Sequence, residues 1–137
     1  MGGRITLKDA RDFHGHLGPY LVLGILAGEI AIQKIGCKKY FGLKVNVYGA
    51  NKKPKSCLID GLQLSTGATY GKGNINKFAG SGIKIKVQNK INNKKVILRL
   101  KRSLVKKLEM LKTHQDSKLL ARELYKTNYS QLFILTT

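Results

Sequence analysis

"PYLVLGILAGEIAIQKI", residues 19–35, is apolar nearly all the way round a helical wheel, with Glu29, Gln33 and Lys34 its charged or amide members. Pro19 suits a first helical position, where its missing N–H leaves no partner wanting, and Gly36 supplies a stop. A helix that is hydrophobic on every side belongs inside a core. A membrane span is the competing reading, but it needs about 20 predominantly apolar residues, and this run is shorter and broken by Glu29. Gly24 and Gly28 form a GxxxG step, which predicts that another backbone approaches the helix closely on that side.

The flanks supply the rest of one α+β domain spanning residues 1–137. "TLKD" (Thr6–Asp9) has the form of a capping box and predicts a short helix from Leu7 to Phe13, ended by Gly15. On the other side, "LKVNVYG" alternates Leu43, Val45 and Val47 with polar residues, as a half-buried strand does. Ser56 is placed to cap a helix over residues 57–65. "GIKIKVQ" and "KKVILRL" read as two strands of a hairpin joined through "NKINN". Leucines at three- and four-residue spacing in "SLVKKLEMLKTH" and "DSKLLARELYKT" predict carboxyl-terminal helices. The tail "YSQLFILTT" suits either a last strand or a packed helix end. The expected architecture is a mixed sheet of about four strands packed on the buried central helix.

The charge is extreme. Lysine and arginine total 26 against 7 aspartates and glutamates, a formal net charge of +19. Such a surface attracts nucleic acid, anionic membranes or acidic partners. Only five of the basic residues are arginine, the side chain best suited to reading phosphates and bases, so a lysine-rich proteome explains the excess without a nucleic-acid function. Two cysteines make no disulfide framework, and "MGGRITLKDARDF" has charges where a secretory signal needs an apolar run. The cytoplasm is the expected compartment. Met1-Gly2 with Thr6 is a weak match to a myristoylation signal.

Two stretches carry chemistry. "FHGHLGPY" (residues 13–20) sets His14 and His16 either side of one glycine, next to the buried helix. "CLIDGLQLSTGATYGKGN" (residues 57–74) begins with Cys57, has Asp60 about one helical turn on, and ends in a glycine-rich loop. Imidazole and thiolate together suit zinc or a similar metal. Cys57 in a helix's first turn also predicts a lowered thiol pKa. The loop is not a P-loop, because three residues separate Gly67 from Gly71 and Gly73 stands where a hydroxyl would hold Mg²⁺. It leaves Thr66, Thr69, Lys72 and Asn74 as candidates to contact a ligand.

"FHGHLGP", "CLIDGLQ" and "TGATYGKGN", in this order and spacing, resemble the FmdE (FwdE-like) family of formylmethanofuran dehydrogenase proteins over about residues 10–90. The resemblance implies an α+β fold of helix–strand–helix followed by three strands. It also implies an accessory or subunit-like protein linked to molybdenum or tungsten formylmethanofuran dehydrogenases, enzymes of C1 metabolism in archaeal methanogenesis. Its partners would then be that enzyme's other subunits or a second copy of the chain. Family members carry metal, so His14, His16 and Cys57, with Asp60 beside them, are the implied ligands. Three positions depart from the family. Gly18 and Ala68 replace cysteines, and Tyr20 replaces a glycine. The carboxyl-terminal zinc ribbon of some members is missing as well, since His114 stands alone there and no cysteine follows Cys57. An iron–sulfur centre or closed zinc site is therefore not expected; an open, weak zinc site is. The readings set against this one are a basic nucleic-acid-binding module and a hydrolase using His16 as base, the latter lacking an evident nucleophile and carboxylate pair.

Overall fold

The computed structural model describes residues 4–137, so the Met1-Gly2 match lies outside the described residues. Five helices and five strands follow the order α1 (Leu7–His14), α2 (Pro19–Ile35), β1 (Leu43–Tyr48), α3 (Cys57–Thr66), β2 (Ile75–Phe78), β3 (Lys84–Asn89), β4 (Lys95–Leu100), α4 (Arg102–Glu109), α5 (His114–Tyr125) and β5 (Phe133–Thr136). The chain is α+β, with helix–strand–helix and then three strands through β4. The sheet order is β2-β1-β3-β4-β5. β2 runs parallel to β1, and every other pairing is antiparallel.

Central placement of α2 follows from its composition. Leu21, Val22, Leu23, Ile25 and Ala27 are fully buried. Leu23, Val22 and Leu26 join the main core with Val45, Ile85, Val87 and Leu98 of the sheet, while Leu21 and Ile25 pack against Ala10 of α1. Gly24 meets Gly61 of α3 where the two helices cross. A Cβ on Gly24 would run into the carbonyl oxygen of Leu58, with the Cα of Gly61 only 2.9 Å away. Gly28 faces Ser65 and Thr66 one turn on. Ser65 Oγ spans the crossing by donating to the Gly24 carbonyl at 3.2 Å. The GxxxG step thus serves α2–α3 contact within one chain. Among the described residues no single helix is long and apolar enough to cross a membrane; α1 and α2 would qualify only together, and they are bent by 119°.

Local signals mostly act as their chemistry predicts. Thr6 Oγ1 accepts from the Asp9 N–H at 3.0 Å, and Gly15 closes α1 at φ 109°, a left-handed conformation that favours glycine. The helix reaches His14, one residue past the expected end. Ser56 does not cap α3. Its backbone is already right-handed helical (φ −64°, ψ −16°), and its side chain bonds no helix N–H, because the preceding turn leads straight into the helix.

The sheet has one more strand than expected. β2 has no sequence signature because only Ile75 of its four residues is buried, so it shows no alternation. The tail does form a strand, β5, after a 3₁₀ turn over Tyr129–Gln131.

Candidate functional site

Three segments wall one cavity of about 640 Å³. The first is the turn from His14 into α2, bringing His14, His16, Gly18 and Tyr20. The second is the approach to α3, with Lys53, Pro54 and Cys57. The third runs from the end of α4 into α5, with Leu108, Leu111, Lys112, His114 and Ser117. All three histidines of the chain therefore line the same space. The cavity's charged residues are lysines, and among the described residues no aspartate or glutamate lines it.

His14 is fixed by α3. Its Nδ1 lies 2.6 Å from Asp60 Oδ2, across the α1–α3 contact. In the tautomer whose Nδ1–H donates to the Asp60 carboxylate, Nε2 is the acceptor nitrogen. That Nε2 is buried and has no hydrogen-bond partner among the described residues. The His14 side chain is only 10% exposed, and the more open His16 ring lies tilted beside it, centroids 4.8 Å apart. Unpaired buried polar atoms are uncommon because each costs about 1–3 kcal/mol of desolvation, so this one asks for a partner.

Cys57 shares the cavity, but its thiol is not the activated group expected of a helix start. Burial pushes its pKa up, Asp60 adds to that, and Lys53 opposes only in part. At neutral pH it is a thiol. The phenol of Tyr20 is likewise held protonated, by burial and then by Glu109.

These donors do not make a closed metal centre. Among the described residues no three histidine, cysteine, aspartate or glutamate side chains are grouped to hold an ion. Asp60 is spent on His14, and Cys57 must lose a proton before it can ligate. His14, His16 and Cys57 share the cavity wall without forming such a group. The cysteine replacements differ in consequence. Gly18 lines the cavity, and a Cβ there would sit in ordinary contact with His16 Cε1 at 3.5 Å. Ala68 is buried away from it.

The glycine loop takes no part in the cavity. None of Thr66, Thr69, Lys72 and Asn74 lines it. Thr66 Oγ1 is consumed by the Leu62 carbonyl and the Ala68 N–H. Asn74, almost fully buried, accepts from the Thr69 N–H at 3.0 Å and donates to the carbonyls of Tyr40 and Leu43. Lys72 Nζ donates to Thr69 Oγ1 at 3.3 Å. The cavity is closed instead by α4 and α5. Sequence reasoning misses His114, Lys53 and Lys112 as cavity residues, their one local signal being the scarcity of histidine itself.

Comparison with known proteins places this chain in a family. A curated protein of Archaeoglobus fulgidus, named "Probable S-adenosyl-L-methionine-binding protein", is 36% identical over 69 residues. That alignment covers 50% of this chain and 19% of the relative, so the chain matches about a fifth of that protein's length. Residues 13–133 match the family described as "FmdE, Molybdenum formylmethanofuran dehydrogenase operon", from the first histidine motif to the last strand. The chain therefore belongs to the FmdE family and is related to the formylmethanofuran dehydrogenase operon.

Proposed function

We propose that this protein is an accessory, subunit-like partner of a molybdenum or tungsten formylmethanofuran dehydrogenase, and that its histidine-lined cavity binds a small ligand through His14. One observation carries the reading: Asp60 holds His14 Nδ1 at 2.6 Å and leaves a buried Nε2 with no partner among the described residues. A carboxylate behind an imidazole fixes the tautomer and raises the basicity of the other nitrogen, as it does behind metal-bound histidines. The cavity's size falls within the range of about 300–1,000 Å³ usual for small-molecule sites.

Zinc is the candidate ion; since His14, His16 and Cys57 are not grouped to hold it together, His14 would be its anchor, with one of the other two at most beside it and water completing an open shell. When bound, zinc would polarise a ligand oxygen or water. The protein's own contribution is to orient His14 and to keep the ion in a largely apolar wall. An accessory role is favoured over autonomous hydrolysis because, among the described residues, no carboxylate lines the cavity and no hydrogen bond joins Ser117 to a histidine. The S-adenosyl-L-methionine named for the archaeal relative is a second probe of the same cavity.

Calorimetric titration with zinc alone and with S-adenosyl-L-methionine alone, in wild type and His14→Ala, tests the cavity. Binding of at least one that disappears in His14→Ala is the expected result; equal binding in both proteins removes His14 from the role. Co-elution with purified formylmethanofuran dehydrogenase tests the accessory role, and separate elution at micromolar concentrations would oppose it.

A further inference from the structure

The sheet covers the helices with one face only. Its other face gathers one sign of charge through strand register alone. Lys44 stands opposite Gln88, Asn46 opposite Lys86 and Tyr48 opposite Lys84. Lys84 in turn faces Arg99, and Gln88 faces Lys95. Because side chains alternate between faces, these residues share the side opposite the buried Val45, Val47, Ile85, Val87 and Leu98. Five cations, Lys44, Lys84, Lys86, Lys95 and Arg99, thus lie on one surface. Among the described residues no acidic side chain occupies a strand position on it.

The same face carries an aromatic stack at its edge. Tyr48 and Phe78 are paired in register on β1 and β2, with ring centroids 5.0 Å apart and planes within 22°. Lys84 Nζ lies 4.5 Å from the Tyr48 centroid, on the neighbouring strand β3. Strand order makes this a row of Lys84, Tyr48 and Phe78 that ends at the sheet's edge, where Phe78 is 43% exposed. Among the described residues no further ring continues the stack. At about 4.8 Å per strand, the row from Phe78 to Arg99 spans about 14 Å, enough for two or three unpaired nucleotides.

We infer that this open face binds single-stranded nucleic acid, with a base stacking on Phe78 and the lysines and Arg99 following the phosphates. The inference is independent of the cavity, which lies on the helical side. Phosphate contacts supply affinity and aromatic platforms the preference for unpaired bases. A second copy of the chain is disfavoured there by like charge. A duplex offers no exposed base face to Phe78, and it finds no helix or ribbon on this surface to enter its groove. The overall excess of 26 basic over 7 acidic residues adds a general attraction for phosphates but does not itself distinguish this use from a lysine-rich composition.

Fluorescence anisotropy with a labelled oligouridylate of about 12 nucleotides tests it. The competitors are heparin, the matching duplex and anionic phosphatidylglycerol vesicles. The single strand is expected to bind more tightly than the duplex. Phe78→Ala should weaken it about tenfold while leaving heparin binding unchanged, and Phe78→Trp should restore it. Lys86→Gln with Arg99→Gln should weaken both polyanions and reduce the salt slope for the single strand by about 1.4. The inference fails if Phe78→Ala, shown folded by circular dichroism, binds the oligonucleotide as wild type does. It also fails if duplex, heparin or vesicles bind more tightly than the single strand.

Discussion

Asp60 on α3 and His14 at the end of α1 are 46 positions apart in the chain, yet their Oδ2 and Nδ1 atoms lie 2.6 Å apart. The contact depends on the α2–α3 crossing, because α3 can reach the end of α1 only if it lies close against α2. Glycine pairing at the crossing and histidine placement in the cavity are therefore two consequences of one packing arrangement.

Gly24→Ala is expected to destabilise the protein by about 1–3 kcal/mol, since the added methyl meets the backbone of α3 rather than a movable side chain. Gly71→Ala, where a Cβ meets nothing within 4 Å, should fall within about 0.5 kcal/mol of wild type. Urea titration of both variants checks the pair, and equal midpoints would refute close packing at Gly24.

Asn74→Ala should cost about 1–3 kcal/mol, because it strands the part-buried Thr69 N–H and the carbonyls of Tyr40 and Leu43, the last of them in a buried bond. Zinc affinity should not change. A folded Asn74→Ala protein of normal stability but weakened ligand binding would return the loop to the binding site.

How far the sequence carries can be judged from these same residues. Pro19 and Gly36 bound α2 as local backbone chemistry demands, and Gly24 and Gly28 announce the close crossing. β2 escapes notice because an edge strand with one buried residue has no period to detect. His14, His16, Cys57 and Asp60 stand out through motif order. His114, Lys53 and Lys112 do not, since their meeting depends on how α4 and α5 fold back over the turn, a long-range event with no local pattern. Thr66 and Asn74 look available because a glycine-rich loop reads as open, whereas its buried backbone groups claim their side chains. Cys57 shows a local rule being outweighed: burial and Asp60 exceed the favourable helix start.

Alkylation of Cys57 should be slow at neutral pH, with a rate that goes on rising with pH beyond the point where an ordinary thiol levels off, because burial and then Asp60 raise its pKa. The same shift has a stability consequence. The folded thiol holds its proton to higher pH than the unfolded one, so stability is unaffected below the unfolded pKa and falls as pH rises through the interval above it. Asp60→Asn should speed iodoacetamide labelling of Cys57 at pH values near 8 to 9. Unchanged labelling rates measured by mass spectrometry would show that Asp60 does not act on the thiol.

Gly18→Cys should tighten zinc binding about tenfold or more, because it adds a thiol to the cavity wall beside His16 without a steric clash. Ala68→Cys should not, since that position lies outside the cavity. Cys57→Ser should weaken binding more than Cys37→Ser, Cys37 being buried elsewhere in the core. Isothermal titration of the four variants decides the order, and equal affinities throughout would place zinc away from this wall.

The most direct measurement is ¹⁵N NMR of the histidine side chains, read before and after zinc is added near neutral pH. In the free protein His14 should show a protonated Nδ1 and an unprotonated Nε2, the tautomer that Asp60 imposes. Zinc should then move the Nε2 resonance while Nδ1 keeps its proton, and Asp60→Asn should weaken both effects. A His14 ring in the opposite tautomer, or one whose Nε2 signal stays fixed while zinc binds elsewhere, would contradict the assignment of His14 as the cavity's binding atom.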